Sequence, residues 1–322
     1  MARIKYCVPG IGHAILPRMG KVKYAKLLTE QTNPRSLKID RVSIEQAIRL
    51  MHREDASVAN AVYREKKQIA RGIRLITVAL KNGGRLFFAG AGTSGRLGVI
   101  EAAECPPTFS TPPALVQGIM AGGKQAVFRS KEGAEDDAQA AVRIFKKKLR
   151  RRDILVGIAA SGVTPFVLGA LKTAKRKGLK TILVTCNKLS VPAAADCMIA
   201  AVSGPEVISG STRLKAGTAT KMVLNMLTVI SMIQLGKVYR NWMVDLQPKS
   251  KKLEARALRL IQNLGEVPAV EAQRALASSG KNVKLAILMA RTGLGVNAAR
   301  QKLKKASGFL AKALEIASLR SQ

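Results

Sequence analysis

Histidine, cysteine and aromatic residues are all scarce in this sequence, and each scarcity excludes a kind of site. The 322 residues include two histidines and four cysteines. Because no two cysteines have the Cys-x-x-Cys spacing, a zinc site is not expected, and the thiols are predicted to be reduced. Aromatic residues make up 4% of the chain, which is too few for the stacking platforms that bind single-stranded nucleic acids.

Long hydrophobic segments are missing as well. No run of 18 apolar residues occurs, and the first twenty residues contain Arg3, Lys5 and Arg18 without the continuous apolar stretch of a signal peptide. We therefore expect neither secretion nor a membrane-spanning segment, and we predict a cytoplasmic protein. Apolar residues still make up 47% of the chain, which is enough for one large domain with smaller additions.

Acidic residues are few, and the chain is strongly basic. There are 55 lysines and arginines against 20 aspartates and glutamates, which gives a net charge of +35. The basic residues concentrate at residues 146–152, 172–180 and 249–259. A polyanion is a conceivable partner, but these segments lie on separate predicted helices and no nucleic-acid-binding module is recognisable. A basic solvated surface is the preferred interpretation, and specific nucleic-acid binding is not expected.

The most informative segment is residues 85–96, where an apolar strand leads into a glycine- and hydroxyl-rich turn and then a helix. Gly90, Gly92 and Gly95 permit close approach of the backbone, so free N–H groups at the helix start can bind an anion. Their spacing also fits a dinucleotide-binding turn, but the acidic residue required about 20 positions later is absent. Thr93 and Ser94 add hydroxyl donors that suit a single phosphate group. A tight turn without a ligand is the alternative.

The acidic residues are unevenly distributed. Residues 101–137 hold six carboxylates against three basic residues, whereas residues 138–180 hold only Asp153 among twelve basic residues. Asp136 and Asp137 are explained by a helix predicted to follow them, because acidic residues stabilise a helix N-terminus. Glu104 is explained less well, since Cys-Pro-Pro follows it directly and a carboxylate is unfavourable at a helix C-terminus. Glu104 is therefore a candidate functional residue.

Alternating strand and helix patterns predict an α/β fold with a parallel sheet and right-handed crossovers. A helix is predicted at residues 58–81, and Ser43 with Gln46 predicts a capping box for the helix before it. A long helix at 218–235 precedes a small helical bundle, with helices at 249–264, 268–277, 283–291 and 296–305. Strands are predicted at residues 85–89, 115–121, 153–160, 180–186 and 197–202.

Polar turns follow three of these strands, at residues 92–95, 160–164 and 209–215. In open parallel sheets, ligands bind in the crevice outside the carboxyl ends of the strands. The three turns are therefore expected to meet at one edge of the sheet. Their convergence is the main functional signal, because each turn alone is weak evidence for a ligand.

Six motifs occur in an order that resembles the bacterial N-acetylmuramic acid 6-phosphate etherases. The resemblance covers about residues 27–314 and implies a sugar isomerase (SIS) core, a three-layer α/β sandwich with a mainly parallel sheet and N-terminal helices. It implies a basic N-terminal extension at residues 1–26, the SIS domain at 27–248 and a small helical, UBA-like module at 249–322. The motifs are LTE at 28–30 with NP at 33–34, GAGTSGR at 90–96, ECPPT at 104–108, EGAED at 132–136, GIAASG at 157–162 and GSTRLKAGT at 210–218.

The activity that this resemblance implies is cleavage of the D-lactyl ether of N-acetylmuramic acid 6-phosphate during peptidoglycan recycling. Such a lyase needs one acid and one base, and no metal or other cofactor. Glu104 matches the family's proton donor and Glu135 its second catalytic glutamate, for which we predict the base and water-activating roles. Glu101 and Glu132, three positions before these two glutamates, are alternative candidates for a catalytic role. Either of them can instead orient a partner or cap a helix. The predicted substrate-binding residues are Thr93, Ser94, Ser161, Thr164, Ser211, Arg213 and Lys215.

Three questions stay open at the level of the sequence. Lys215 can equally be an ordinary surface lysine of a lysine-rich chain. The family commonly has arginine where Val163 stands and a Cys-Asn-Pro turn where Asn187 is followed by Lys188. A non-catalytic phosphosugar sensor, similar to the glucokinase regulatory protein, is therefore the alternative function. SIS domains usually pair, so a homodimer with a site built from two chains is expected.

Overall fold

A parallel sheet of five strands forms the centre of the computed structural model, which describes residues 24–318. Most of the predicted N-terminal extension, including Cys7, lies outside the described residues. All five predicted strands are confirmed, and their order in the sheet is β2-β1-β3-β4-β5. The strands are β1 Leu86–Gly90, β2 Val116–Met120, β3 Ile154–Ile158, β4 Lys180–Thr185 and β5 Cys197–Ala200.

Helices cover both faces of the sheet, and further helices form the C-terminal part of the described chain. Four short 3-10 turns precede the first helix, at Tyr24–Lys26, Leu28–Glu30, Pro34–Ser36 and Ile39–Arg41. The helices of the core are α1 Ile44–Ala56, α2 Val58–Arg64, α3 Lys66–Lys81, α4 Gly92–Phe109, α5 Gln125–Phe128, α6 Ala138–Lys148, α7 Pro165–Arg176 and α8 Lys215–Ile233. The C-terminal helices are α9 Lys251–Gly265, α10 Ala269–Ser278, α11 Val283–Thr292, α12 Val296–Lys305 and α13 Leu310–Ser318.

The alternation of side chains along the strands creates two separate hydrophobic layers. Leu86 and Phe88 of β1 pack with residues of α2, α3, α4 and α8 on one face of the sheet. Phe87 and Ala89 pack with α6 and α7 on the other face. The result is the predicted three-layer sandwich, whose strands are buried on both faces.

Two of the predicted helices differ from the observed ones. The single helix predicted at residues 58–81 is two helices that meet at Glu65, whose carboxylate accepts a hydrogen bond from the N–H of Ala200 at the end of β5 (3.2 Å). Helix α4 does not end at Glu104, as the Cys-Pro-Pro sequence suggested, but continues through both prolines to Phe109. Burial of Cys105 and Phe109 in the core holds this last turn in place.

Helix α8 passes a length and composition test for a membrane span, with a mean hydropathy of 1.3 over 18 residues. Core helices of globular proteins pass the same test, and α8 packs against α2, α3 and α4. Eleven of its nineteen residues are buried, among them Val223, Leu224 and Leu227. Its apolar character is therefore explained by its place in the core.

The C-terminal helices enclose a hydrophobic core of their own, which includes Leu260, Ile287 and Leu310. Val244 and Leu246, which precede the predicted boundary at residue 249, also pack in this core. Helix α13, which the sequence pattern did not reveal, completes it. The amine of Lys284 ties the C-terminal helices to the end of the α/β core, because it donates to the carbonyl of Gly236 at 2.8 Å.

The three described cysteines, Cys105, Cys186 and Cys197, are buried free thiols. Burial raises the pKa of Cys105 and of Cys186 to about 12. These thiols are therefore protonated at neutral pH, which makes them poor nucleophiles. Within residues 24–318, no group of three or more His, Cys, Asp or Glu side chains is arranged to hold a metal ion.

Candidate functional site

The turn after β1 forms the start of helix α4 and leaves its backbone N–H groups available. Gly92 adopts a positive φ of 52°, a conformation that favours glycine, and Ala91 before it provides no side-chain cap. Thr93 and Ser94 lie in the first turn of the helix and are half-buried. A helix N-terminus with unpaired N–H groups and adjacent hydroxyls is suited to binding a phosphate group.

The turn after β3 lies next to it, because β1 and β3 are neighbours in register, with Gly90 opposite Ile158. The connections from β1 and β3 leave the sheet in opposite directions, which makes this the switch point where ligands of such sheets bind. Ser161 and Thr164 place their hydroxyl oxygens 3.4 Å apart. Gly162, with a φ of 78°, allows the turn to pass close to the hydroxyl of Thr185.

The third predicted turn also reaches this edge. A Cβ atom on Gly217 would lie 3.7 Å from Cγ2 of Thr93, so the start of α8 is in contact with the start of α4. Ser211 is half-buried and Arg213 is exposed. The structure therefore brings the starts of α4 and α8 and the turn after β3 together at one edge of the sheet. The first turn of α4 and the turn between β3 and α7 form the candidate phosphate site, which we call the phosphate cradle and define by Thr93, Ser94, Ser161 and Thr164.

Lys215 is buried, so the alternative of an ordinary surface lysine is wrong. Its side chain is 3% exposed and its amine lies 2.6 Å from Oε2 of Glu54. Glu54 also accepts hydrogen bonds from Arg35 (2.8 Å) and Asn33 (2.9 Å). The buried Glu206 accepts the backbone N–H groups of Lys215 and the next residue, and its pKa is raised by burial. Lys215 therefore anchors the N-terminal segment to the start of α8.

This network has a pH-dependent effect on stability. Burial alone would raise the pKa of Glu54, but hydrogen bonds from Lys215, Arg35 and Asn33 outweigh it and lower the pKa to about 2. Since a lowered pKa stabilises the fold only while the group is ionised, this contribution is complete above about pH 4.5 and is lost as the pH falls towards 2. A shift of this size corresponds to about 3 kcal/mol.

We expect Glu54→Gln to lower the free energy of unfolding at pH 7 by about 3 kcal/mol, because the amide cannot compensate the buried ammonium. The difference between the variant and the wild type should shrink between pH 4.5 and pH 2, as measured by urea denaturation. The control is Asp40→Asn, which removes an exposed carboxylate paired with Arg41 and should have little effect. A difference that stays constant down to pH 2 would contradict the prediction.

The turn after β4, where Lys188 departs from the family's Cys-Asn-Pro pattern, retains a buried asparagine. Asn187 is 2% exposed, and its side-chain oxygen accepts the N–H of Leu28 at 2.7 Å. Its amide group donates to the hydroxyl of Thr29 and to the carbonyl of Ala160, each at 3.0 Å. Asn187 therefore pins the N-terminal segment beside the turn that carries Ser161. The departure from the family pattern is confined to the exposed part of the turn.

The second departure from the family pattern, Val163, lies in an apolar groove. This groove has a volume of about 650 Å³ and is lined by Val163, Leu168 and Leu189, with Lys172 and Arg176 among its basic residues. The cation that the family commonly has at position 163 is thus replaced by an apolar side chain. Positive charge remains nearby on α7.

Glu135 and the start of α4 line one small cavity of about 110 Å³, together with Glu132 and Arg96. Arg96 donates to the carbonyls of Ala126 and Val127 at 3.0 and 2.8 Å, which holds this loop against α4. The backbone carbonyl of Glu135 accepts the N–H of Phe166 at 2.9 Å. Glu135 is therefore fixed between α4 and α7, with its side chain exposed. Glu132 is exposed too, and accepts a hydrogen bond from Ser130.

Glu104 does not meet Glu135 at this cradle. It lies eleven residues after Thr93 on the same helix, which corresponds to about 16 Å along the axis. Its side chain is exposed. Within one chain, the two predicted catalytic glutamates are therefore apart. Glu135 lies beside the phosphate cradle, whereas Glu104 lies beyond the reach of a sugar whose phosphate is bound in that cradle.

Glu101, one turn before Glu104, is buried and faces α8. Its carboxylate lies 2.5 Å from the amine of Lys221 and 2.6 Å from the hydroxyl of Thr228. Sequence reasoning allowed Glu101 to orient a partner, but it missed Lys221. A signal was present, since Lys221 is the only charged residue in α8 after Lys215. Glu54 was also missed, and its sequence context offers no comparable signal.

The fold and these turns place the chain in the class of SIS domains. The family model described as SIS domain matches residues 136–230. The family model described as glucokinase regulatory protein N-terminal SIS domain matches residues 68–175. A phosphoheptose isomerase from Neisseria gonorrhoeae is similar in structure, with a TM-score of 0.44 and 15% identity over 58% of this chain and 98% of that chain.

Full-length relatives define the family more narrowly. An N-acetylmuramic acid 6-phosphate etherase from Microcystis aeruginosa is 50% identical over 90% of this chain and 95% of its own length. One from Clostridium beijerinckii is 48% identical over 92% of this chain and 98% of its own length. The chain belongs to the N-acetylmuramic acid 6-phosphate etherase family.

Proposed function

We propose that this chain cleaves the D-lactyl ether of N-acetylmuramic acid 6-phosphate, giving N-acetylglucosamine 6-phosphate and D-lactate. The observation that carries the proposal is a phosphate cradle beside an exposed glutamate, Glu135, in a chain that belongs to the etherase family over 90% of its length. The hydroxyls of the cradle and the N–H groups of α4 would hold the 6-phosphate. The reaction would serve peptidoglycan recycling, since its substrate is a cell-wall sugar.

The chemistry needs one base and one acid. Ring opening places an aldehyde at C1, which makes the C2 proton acidic and the C3 ether oxygen a β leaving group. A carboxylate removes the C2 proton while a carboxylic acid protonates the C3 oxygen, so D-lactate leaves and a C2–C3 double bond forms. Water then adds at C3. Glu104 is proposed as the acid, and Glu135 as the base that also activates the water.

The distance of Glu104 from the cradle of its own chain supports a shared site. The 6-phosphate and the C3 oxygen belong to one sugar, so Glu104 cannot serve the cradle of its own chain across about 16 Å. In a two-fold homodimer, Glu104 of one copy would serve the cradle of the other. Exposed apolar side chains on α4 and α8, namely Ile100 (44%), Val229 (41%) and Ile233 (39%), give this face surface to bury.

A cytoplasmic location is part of the proposal. A sugar phosphate is charged and does not cross a hydrocarbon layer unaided, so an enzyme of this substrate acts in the compartment where the phosphate is attached. The three buried cysteines are unpaired, which agrees with a reducing compartment. The net charge of +35 has no explanation in this activity.

The direct test is incubation of the purified protein with N-acetylmuramic acid 6-phosphate and an enzymatic assay for D-lactate. We expect stoichiometric release of D-lactate and N-acetylglucosamine 6-phosphate. The unphosphorylated sugar is the control, because it cannot occupy the cradle and should react far more slowly. Saturable binding without lactate would instead support a phosphosugar sensor, the function that the apolar Val163 favours.

A further inference from the structure

A buried carboxylate, one turn before the proposed acid on helix α4, holds one lysine. Glu101 is 5% exposed and receives a hydrogen bond from the amine of Lys221 at 2.5 Å and from the hydroxyl of Thr228 at 2.6 Å. The same amine contacts the side-chain oxygen of Asn225. Since a lysine side chain loses much rotational freedom when it is held in this way, the cation is ordered before any ligand arrives.

The ammonium group of Lys221 keeps a free donor. An ammonium has three N–H donors, of which Glu101 and Asn225 use two, and the described residues provide no partner for the third. The side chain is 37% exposed, so this donor is open to a ligand. A half-exposed cation that is oriented by a buried anion is well arranged to bind a second anion.

Its position relative to Glu104 identifies the anion. Glu101 and Glu104 are three residues apart on α4, so their side chains emerge from adjacent positions on one side of the helix. The carboxylate of the lactyl group is two bonds from the ether oxygen that the acid must protonate. A cation that binds this carboxylate must therefore lie close to the acid. We propose that Lys221 is the subsite for the carboxylate of the leaving group, an inference that rests on the proposed etherase activity.

Two of the other cations near the three turns are already engaged. The amine of Lys215 is paired with Glu54 in the interior, and the guanidinium of Arg96 donates to two backbone carbonyls. Position 163, where the family commonly has arginine, is a valine. Lys221 thus combines a pairing with Glu101, one turn before Glu104, with an unused donor, and neither Lys215 nor Arg96 has this combination.

The test compares two substrates that differ only in this charge. They are N-acetylmuramic acid 6-phosphate and its analogue with a carboxamide in place of the lactyl carboxylate. The wild type should prefer the acid by about 10- to 100-fold in kcat/KM, the range expected for one charge-assisted hydrogen bond. Lys221→Met should reduce this preference to within about threefold, and Lys221→Arg should retain most of it. A merely structural role for Lys221 would lower both rates and leave their ratio unchanged.

Controls separate the possible failures. Binding of N-acetylglucosamine 6-phosphate, which lacks the carboxylate, should be unchanged in Lys221→Met if the fold is intact. If this variant does not fold because Glu101 is left unpaired, Glu101→Gln combined with Lys221→Met removes both charges and should show the same loss of preference. Lys237→Met is the matched control, since Lys237 is 28% exposed and paired with Asp245 beyond the end of α8.

The outcomes are distinct for the two proposals. If the wild type releases neither D-lactate from the acid nor D-lactamide from the carboxamide analogue, the proposed etherase activity is wrong. If the wild type is active and a folded variant without Lys221 still prefers the acid as strongly, the carboxylate subsite is overturned. Loss of the preference in Lys221→Met, with its retention in Lys237→Met, would support the subsite.

Discussion

Replacing Glu104 or Glu135 with glutamine is expected to lower the rate of D-lactate release by about 10²- to 10⁴-fold, the usual contribution of a general acid or base. Glutamine has nearly the same shape as glutamate, but it neither donates an acidic proton nor accepts one. Both side chains are exposed, so the exchange leaves no buried charge unpaired and the fold should persist. Steady-state kinetics with N-acetylmuramic acid 6-phosphate measures the effect.

Binding of N-acetylglucosamine 6-phosphate should stay within about twofold of the wild type in both variants, because the cradle holds the phosphate independently of the proton transfers. The matched control is Asp136→Asn, which removes the exposed carboxylate next to Glu135 and should have little effect on turnover. Glu132→Gln tests the neighbouring alternative. Unchanged turnover in both the Glu104 and the Glu135 variant would disprove the proposed mechanism.

Mixing these two inactive variants is expected to restore about a quarter of the wild-type activity, if subunits exchange freely in a two-fold dimer. Half of the dimers then contain one chain of each kind. In such a dimer, one of the two shared sites combines Glu104 from one chain with Glu135 from the other, and the second site has neither glutamate. Half of the sites in half of the dimers are therefore complete.

The restoration should depend on the concentration and time of mixing, because it requires exchange of subunits. Differently tagged chains allow the mixed dimer to be purified and assayed directly, and it should have about half of the wild-type activity. As a control, Glu135→Gln mixed with the double variant should stay inactive, since no chain in that mixture supplies Glu135. A purified mixed dimer without activity would mean that both glutamates act within one chain, against the distance of about 16 Å from Thr93 of the cradle to Glu104.

Local features of the fold could be predicted from short stretches of sequence. The capping box of Ser43 and Gln46 is present as predicted, with both reciprocal hydrogen bonds, because it involves residues only three positions apart. The five strands lie where apolar runs of strand length indicated. The turns at Gly92 and Gly162 have the positive φ that glycine permits. Each of these features depends on residues that are neighbours in the chain.

The errors have a common cause, which is a contact with a distant residue. The predicted helix at 58–81 is interrupted at Glu65, whose carboxylate accepts the backbone N–H of Ala200 at the far edge of the sheet. Helix α4 runs past Glu104 because its last turn is packed into the core. Lys215 was predicted to bind the substrate, with an ordinary surface lysine as the alternative, whereas its amine is paired with Glu54 in the interior.

The resemblance of the motifs led to the family, since this depends on which residues are present and in what order, and it supplied the cradle residues and both glutamates as predictions. The arrangement of the site depends on contacts that no local pattern encodes. Glu101 meets Lys221 across 120 positions of sequence, and Glu54 meets Lys215 across 161. The separation of Glu104 from the cradle follows from the straight course of one helix through the folded chain. Packing of distant segments therefore determines which carboxylates are buried, which lysine is held for a ligand, and why a second copy is proposed to complete the site.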